Sequence, residues 1–292
     1  MTDADETPAT VGAALTEATA ELERAGVPDP TVDAELLIGH VLNVSRGRIQ
    51  ALAMTDAALP AADAASVLVL VARRAAREPL QHITGHAAFR LIELAVGPGV
   101  FVPRPETELV AQFAIDALRA TAGAEPIAVD LGTGSGAIAL SLAVEVPHAH
   151  VYGVENSAEA FEWTTRNFRQ TDPGNATAVF ADLADALPEL DGRVSVVISN
   201  PPYVPNDAVP RDPEVRLFDP AHALYGGADG LDVVHRVSQT ALRLLHPGGT
   251  LVIEHGELQG AAIRDLLTAD GWRAARTHPD LTTRDRATTA LR

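Results

Sequence analysis

From residue 127 onward, the sequence alternates between short apolar runs and segments that carry apolar residues at helical spacing. The runs predict strands at 127–132, 150–155, 176–182, 194–200 and 250–256, with edge strands near 272–277 and 286–291. The fourth run is continuously apolar, as expected for a strand that is buried on both faces. Repeated strand–helix units indicate a mostly parallel sheet covered by helices, so the predicted fold class is α/β.

The region before residue 80 has a different pattern and shows no convincing strand. Apolar residues recur at helical spacing, and a helix is predicted over 61–77. Residues 80–103 instead combine β-branched residues with glycines near turns, which indicates a hairpin. We therefore predict a helical domain over residues 1–80, a β-hairpin linker over 81–104 and the α/β domain over 105–292.

The charge of the chain narrows the choice of partners. Its formal net charge is -17, and every fixed positive charge is an arginine. Nucleic-acid binders usually neutralise phosphates with lysine and arginine, so this balance argues against nucleic acid and favours a protein or small molecule. The arginine cluster Arg73, Arg74 and Arg77 is interpreted as a solvated helix end.

The ends of the chain and its cysteine content bear on its compartment. The first ten residues are acidic where a secretory signal would be basic and then apolar, and no run reaches the roughly 20 apolar residues of a membrane span. The absence of cysteine fits a reducing cytoplasm. We expect a cytoplasmic monomer without a membrane partner.

A glycine-rich turn follows the first strand of the α/β region. Gly132, Gly134 and Gly136 allow a tight turn and a close approach of the backbone to a ligand. Glu155 ends the second strand, 19 residues after Gly136, where a carboxylate can accept both hydroxyls of a ribose. Asp182 ends the third strand, where a side chain can reach an adenine.

Three interpretations of this turn compete. An ordinary strand-to-helix turn is one, and a dinucleotide site is another. Dinucleotide sites usually carry G-x-G-x-x-G, which places pyrophosphate at a helix N-terminus. The spacing here is G-x-G-x-G, which suits a nucleoside without phosphates. Together with the two carboxylates, it favours S-adenosylmethionine.

The tetrapeptide Asn200-Pro201-Pro202-Tyr203 follows the fourth strand and is the most specific feature of the chain. A planar nitrogen is a poor nucleophile because its lone pair is delocalised. The Asn200 side-chain oxygen and the Pro201 carbonyl can grip its two N–H bonds and aim the lone pair at a methyl carbon. The prolines restrict the backbone and hold both acceptors in place, and Tyr203 offers a flat face to the planar group. The tetrapeptide alone does not separate adenine amines from glutamine amides.

In this order, the motifs resemble those of the release-factor glutamine methyltransferases, which methylate the glutamine of the GGQ loop in class 1 peptide-chain release factors. The resemblance runs from about Asp33 to the C-terminus. It is carried by EPLQHITG (78–85), FVPRPETELV (101–110), DLGTGSGAIALSLA (130–143), SNPPYVP (199–205), EVRLFDPAHALYGGADGLD (214–232), PGGTLVIEHGELQ (247–259) and DLTTRDRATTA (280–290).

The resemblance implies a class I S-adenosylmethionine-dependent methyltransferase fold, with a mostly parallel seven-stranded sheet, and a small N-terminal helical domain that helps to recognise the release factor. S-adenosylhomocysteine would be the product of the cofactor. The implied catalytic and substrate-binding residues are Asn200, Pro201, Pro202 and Tyr203, and PRPETE (103–108) would lie near the mouth of the active site. The cofactor-binding residues are Asp130, Gly132, Thr133, Gly134, Ser135, Gly136, Glu155, Asp182, Leu183 and Asn200.

The sequence departs from the family pattern at a few positions and leaves other functions open. Glu155 stands where an aspartate is common, Leu183 where an aromatic residue can occur, and His255 where an apolar residue is usual. The alternatives are methylation of a ribosomal-protein glutamine, methylation of an exocyclic amine in nucleic acid, and a cofactor-binding module without catalysis. No metal is expected, because His82 and His86 lack a third ligand and no helix is predicted there.

Overall fold

The computed structural model describes residues 9–123 and 125–292. The acidic start of the chain, and with it the beginning of the predicted N-terminal domain, lies outside the described residues. The helices are α1 (Val11–Arg24), α2 (Pro30–Leu42), α3 (Arg46–Met54), α4 (Ala61–Ala75), α5 (Leu80–Thr84), α6 (Pro105–Ala120), α7 (Ala137–Glu145), α8 (Ala158–Thr171), α9 (Pro213–Phe218), α10 (Ala221–Leu224), α11 (Asp232–Leu244) and α12 (Gly260–Ala269).

The strands and one short 3-10 helix, Pro188–Leu190, complete the described structure. The strands are β1 (His86–Phe89), β2 (Ile92–Ala95), β3 (Ile127–Leu131), β4 (His150–Glu155), β5 (Ala176–Phe180), β6 (Val194–Ser199), β7 (Leu245–Glu254), β8 (Arg273–Pro279) and β9 (Asp285–Leu291).

Two units make up the described part of the chain, and the first contains α1 to α5 together with residues 211–218, which include α9. The Thr10 side chain accepts a hydrogen bond from the Ala13 N–H and so caps α1. Ser45 caps α3 in the same way, because serine and threonine satisfy donors that the first helical turn leaves free. Apolar side chains from α1 to α5 form one buried core.

The prediction of a solvated arginine cluster at the end of α4 is wrong for Arg74 and Arg77, whereas the Arg73 side chain is 41% exposed. The Arg74 side chain is only 7% exposed and forms ion pairs with Asp33, at 2.7 Å, and with Glu214, at 2.8 Å. Arg77 binds the same glutamate at 2.7 Å. Buried charges are stable only when they are paired, so these arginines hold α2, α4 and α9 together within the first unit.

The second unit contains a two-stranded hairpin of β1 and β2 and a seven-stranded sheet in the order β5-β4-β3-β6-β7-β9-β8. All neighbouring pairs from β5 to β7 are parallel, and β9 is antiparallel to both β7 and β8. The predicted mostly parallel, seven-stranded α/β fold is confirmed. The hairpin is present as well, but Leu80–Thr84 before it form a short helix that the sequence pattern did not predict.

Strand order and register position the site. The order of the strands reverses between β3 and β6, which pair in parallel with Asp130 opposite Ile198. The turns after these two strands therefore lie side by side, at the place where open α/β sheets bind ligands. One core cluster contains buried side chains of α6 and α7, and a second contains those of α11 and α12. No helix in the described part of the chain is long and apolar enough to cross a bilayer.

Candidate active site

The glycine-rich turn after β3 adopts a backbone that glycine alone accommodates without strain. Gly132, Gly134 and Gly136 have φ angles of 77°, 56° and 88°, in the left-handed region. The N–H groups of Gly132 and Thr133 both donate to the Val154 carbonyl at 2.9 Å, which ties the turn to β4. A Cβ atom on Gly136 would lie 2.9 Å from the Phe168 ring, so the third glycine also permits close packing of α8.

Glu155, at the end of β4, is organised by three backbone donors. One carboxylate oxygen accepts from Gly134 at 2.9 Å, and the other accepts from Asn156 at 2.9 Å and from Ser157 at 2.8 Å. These hydrogen bonds fix the carboxylate beside the glycine turn. Since each carboxylate oxygen has about two lone-pair sites, the oxygen bound by Gly134 retains capacity for a ligand hydroxyl.

Helix α8 supports the same turn from behind, through two buried residues that the sequence motifs did not reveal. The Thr164 hydroxyl donates to the Gly134 carbonyl at 2.6 Å, and Asn167 Nδ2 donates to the Ser135 carbonyl at 2.8 Å. Asn167 also exchanges hydrogen bonds with the backbone of Ala95, at the end of the hairpin. Such helix residues cannot be recognised before the helix has been placed against the turn.

Asp130 lies beneath the turn. It is fully buried and accepts from the Thr133 hydroxyl at 2.6 Å and from the Ala139 N–H at 3.2 Å. Burial raises its pKa to about 7, although the Thr133 hydrogen bond acts in the opposite direction. These contacts give Asp130 the geometry of a residue that shapes the turn.

A cavity of about 380 Å³ opens at this edge of the sheet. Its wall brings together most of the residues predicted for the cofactor and the substrate: Gly132, Thr133, Gly134, Ser135, Glu155, Leu183, Asn200, Pro201, Pro202 and Tyr203. Asp130, Gly136 and Asp182 are not part of that wall. The Asp182 side chain pairs with Arg236, and this hydrogen bond lowers the pKa of Asp182.

Other wall residues were not singled out by sequence reasoning. They include Phe101, Tyr225 and Arg236, and the PRPETE segment contributes Pro103 and Thr107. The resemblance indicated that residues 103–108 lie near the mouth, but it did not indicate which of them face the cavity. Arg236 lies on α11 and carries no motif signal.

The tetrapeptide after β6 is held by its surroundings on several sides. The Ser199 hydroxyl donates to the Leu131 carbonyl at 2.6 Å, which joins the two strand ends. Asn200 Nδ2 donates to Thr107 Oγ1 at 3.5 Å. At the far end, Gln259 Nε2 donates to the Tyr203 carbonyl at 2.9 Å. Burial raises the pKa of the Tyr203 phenol, which therefore stays neutral.

Two glycines allow the next loop to pack directly on the tetrapeptide. A Cβ atom on Gly226 would lie 2.3 Å from the Pro202 carbonyl oxygen, and one on Gly230 would lie 2.1 Å from the Tyr203 carbonyl oxygen. Any side chain there would displace the backbone of the tetrapeptide. The family segment 214–232 therefore contributes close backbone contacts to the site.

The glycine turn, the carboxylate at the end of β4 and the Asn-Pro-Pro-Tyr wall all fit S-adenosylmethionine and a planar acceptor nitrogen. The fold and the site define a class I S-adenosylmethionine-dependent methyltransferase. The catalytic domain of hMettl16, in complex with a MAT2A 3'UTR hairpin, shares this fold. It matches with a TM-score of 0.53 and 16% identity, over 68% of this chain and 75% of that one.

Comparisons with known sequences define the family more closely. Residues 13–85 match the model of the PrmC N-terminal domain, and residues 92–224 match the methyltransferase small domain. The release factor glutamine methyltransferase of Streptomyces coelicolor is 49% identical over 281 residues, which cover 95% of this chain and 96% of the relative. The chain belongs to the release factor glutamine methyltransferase family.

A relative that is named for a different activity is also similar along its length. The 4-amino-L-phenylalanine/4-methylamino-L-phenylalanine methyltransferase of Streptomyces pristinaespiralis is 39% identical over 289 residues, which cover 97% of this chain and 95% of the relative. Its named substrates carry an aromatic amine, which is another planar nitrogen. The shared fold and sequence therefore accompany more than one acceptor.

Proposed function

We propose that this chain transfers the methyl group of S-adenosylmethionine to the side-chain amide nitrogen of the glutamine in the GGQ motif of class 1 release factors. The observation that carries the proposal is the position of Asn200. Its Nδ2 is directed at Thr107, so its Oδ1 remains to accept an N–H from an acceptor in the cavity. The relative at 49% identity, which bears this activity in its name, supports the same acceptor.

The roles of the site residues follow from their places in the cavity wall. Residues 132–135, Glu155 and Leu183 would hold the cofactor, which when bound supplies a methyl group activated by a cationic sulfur. Asn200 Oδ1 and the Pro201 carbonyl would accept the two N–H bonds of the acceptor and weaken the delocalisation of its lone pair. Tyr203 would pack on the planar group. Asp130 and Gly136 would shape the turn, and Asp182 would hold Arg236.

An assay with labelled S-adenosylmethionine tests the proposal. The purified chain is incubated with a class 1 release factor and, as a matched control, with the same factor carrying alanine in place of the GGQ glutamine. We expect label on the first and none on the second. Equal labelling of both proteins would contradict the proposal, and so would the absence of label from both.

A second candidate is methylation of an aromatic amine, because the relative at 39% identity is named for that substrate. Parallel reactions with 4-amino-L-phenylalanine, a ribosomal protein and nucleic acid separate the alternatives. We expect the release factor to be methylated with the highest kcat/KM. A higher kcat/KM for the aromatic amine would show that the preferred acceptor is a small molecule and not the release factor.

A further inference from the structure

Glu254 is a buried acidic residue near the part of the cavity wall formed by residues 200–203, called the acceptor half because the acceptor is proposed to bind there; the part formed by residues 132–135, Glu155 and Leu183 is called the cofactor half. Glu254 itself is not part of the wall. It is the last residue of β7, and the preceding Ile253 pairs with Ser199 at the end of β6. Glu254 and Asn200 are therefore neighbours on adjacent strand ends. Glu254 is 1% exposed, and its Oε2 atom has no hydrogen-bond partner among the described residues. Burial of a carboxyl group costs free energy unless other groups compensate for the lost hydration.

The first contact leads to Asn200. The Thr107 hydroxyl acts as a donor to the Glu254 carboxyl and lowers the pKa of that carboxyl, while Thr107 Oγ1 accepts from Asn200 Nδ2 at 3.5 Å. A hydroxyl has a single hydrogen, so a Thr107 that donates to Glu254 can only accept from Asn200. The two ends of an asparagine amide have nearly the same shape. A carboxylate that holds the Thr107 hydrogen would thereby favour the orientation in which Asn200 Oδ1 faces the cavity.

The second contact leads toward Tyr203. Arg286 lies on β9, next to Ala287, which pairs with Glu254. Its guanidinium interacts with both the Glu254 carboxyl and the Tyr203 phenol. It also donates to the His255 carbonyl at 3.4 Å and lies 3.4 Å from an Asp280 oxygen. The Glu254 carboxyl thus interacts with two side chains, Thr107 beside Asn200 and Arg286 on the side of Tyr203.

We infer that Glu254 is a positioning residue for methyl transfer, which orients the Asn200 amide through Thr107 and fixes the Tyr203 ring through Arg286. The inference rests on the proposed function, since it assigns Asn200 and Tyr203 to the acceptor. Glu254 itself touches neither ligand. Its contribution is the direction in which the Asn200 amide points.

The protonation state of Glu254 supplies a specific readout. Burial raises the pKa of Glu254 to about 7, against the hydrogen bond from Thr107 and the charge of Arg286, while Glu106 on α6 raises it further. A protonated Glu254 can donate to Thr107, whose own hydrogen can then turn toward Asn200. The orientation of the Asn200 amide is no longer enforced, so kcat is expected to fall as the pH drops below about 7.

A matched pair of Thr107 variants tests the relay. Thr107→Val keeps the shape and removes the hydroxyl, whereas Thr107→Ser keeps the hydroxyl. We expect Thr107→Val to lower kcat by about ten-fold, the scale of one lost hydrogen bond, with the Kd of S-adenosylhomocysteine within about two-fold. Thr107→Ser should stay within about three-fold of the wild type. Equal kcat values for the two variants would overturn the inference.

Glu254→Gln tests the titration. Glutamine retains an oxygen that accepts from Thr107 but does not titrate near pH 7, so the fall of kcat at acid pH should disappear. An unchanged acid limb would overturn the inference. Thermal melting and S-adenosylhomocysteine binding test whether the variant is folded. If Glu254→Gln does not fold, the comparison of Thr107→Val with Thr107→Ser tests the inference independently.

A measurement without any acceptor separates this inference from the proposed function. The Asn200 side-chain NH2 signals, assigned in ¹⁵N spectra by their loss in Asn200→Ala, should shift with a midpoint near pH 7 in the wild type and not in Glu254→Gln. Identical pH profiles would reject the role of Glu254, whichever substrate is methylated. A wild type that shows the shift but does not label the release factor would reject only the proposed acceptor.

Discussion

Asp130 and Glu254 are both buried carboxyl groups near the ends of sheet strands, but they support opposite halves of the cavity wall. Asp130 accepts hydrogen bonds from Thr133 and Ala139, in the turn and helix that follow its own strand. Glu254 acts on residues from other parts of the chain, Thr107 and Arg286. The carboxyl group beneath the glycine turn thus acts within one strand–turn–helix segment, whereas the one beside Asn200 acts between segments that are far apart in sequence. Damage to the first half should weaken cofactor binding, and damage to the second should slow turnover.

The largest expected effect is on the acceptor half. Asn200→Ala removes one of the two oxygens proposed to accept the N–H bonds of the acceptor nitrogen, so kcat should fall by about 10²- to 10³-fold, as for loss of one preorganised hydrogen-bonding group in an active site. The affinity for S-adenosylhomocysteine, measured by calorimetry, should stay within a few-fold. Asn206→Ala, at an exposed position nearby, serves as the control. Loss of cofactor affinity equal to the loss of kcat would place Asn200 in the cofactor half.

The corresponding change in the cofactor half is Gly136→Ala. The new Cβ would lie 2.9 Å from Phe168 on a backbone with φ of 88°, and the positive φ alone costs about 1–2 kcal/mol. We expect the Kd of S-adenosylhomocysteine to rise by at least about ten-fold. Gly47→Ala, where a Cβ meets nothing within 4 Å, should leave it unchanged. Normal cofactor affinity in Gly136→Ala would contradict the proposed role of the glycine turn in binding the cofactor.

Glu155→Gln also tests whether the cofactor half affects cofactor binding and not turnover, with a smaller change in side-chain shape. Its carboxylate accepts from three backbone N–H groups, and hydrogen bonds to a charged acceptor contribute about 1.5–3 kcal/mol. We expect the Kd of the cofactor product to rise by about ten-fold, while kcat at saturating cofactor changes little. Glu162→Gln, on the exposed side of α8, is the control. A fall in kcat with unchanged Kd would be the opposite of the expected pattern.

The buried state of Asp130 predicts a pH effect on stability. Its pKa is raised from 3.8 to about 7 in the folded chain, so the folded state binds the proton more tightly than the unfolded state. The free energy of unfolding should therefore fall as the pH rises from about 4 to about 7. Asp130→Asn should make that dependence shallower in denaturant titrations at several pH values. An unchanged slope would show that Asp130 titrates normally.

The smallest effect is expected for Asp182→Ala. This carboxylate lies outside the cavity wall and pairs with Arg236, at a site where both side chains are 40% or more exposed. Exposed ion pairs contribute about 0–1 kcal/mol, so the Kd of S-adenosylhomocysteine should change by less than about five-fold. A rise of more than about ten-fold would show that Asp182 binds the cofactor directly, as the sequence pattern predicted.

Local patterns in the sequence were sufficient for the parts of the site that depend on neighbouring residues. The glycine spacing, the carboxylate at the end of β4 and the Asn-Pro-Pro-Tyr segment all lie within a few residues of the strands that place them. The five parallel strands were recognisable because each contains a run of apolar or β-branched residues. These features require no knowledge of the distant parts of the chain.

The remaining features depend on contacts between distant residues. Asn200 meets Thr107 across 93 positions of sequence, and Asn167 meets Ala95 across 72. The burial of Arg74 depends on Glu214, which belongs to a segment far along the chain. No local pattern marks such pairs, since each residue alone resembles an ordinary surface or helix residue. These contacts are set by tertiary packing, which local sequence patterns do not encode.

The most direct test of the central claim is a structure of the chain with S-adenosylhomocysteine and a peptide that contains the GGQ motif. The account predicts that the glutamine NH2 group donates to Asn200 Oδ1 and to the Pro201 carbonyl, with its nitrogen turned toward the sulfur. A complex in which Asn200 points its Nδ2 at the glutamine, or in which the glutamine lies outside the cavity, would contradict it.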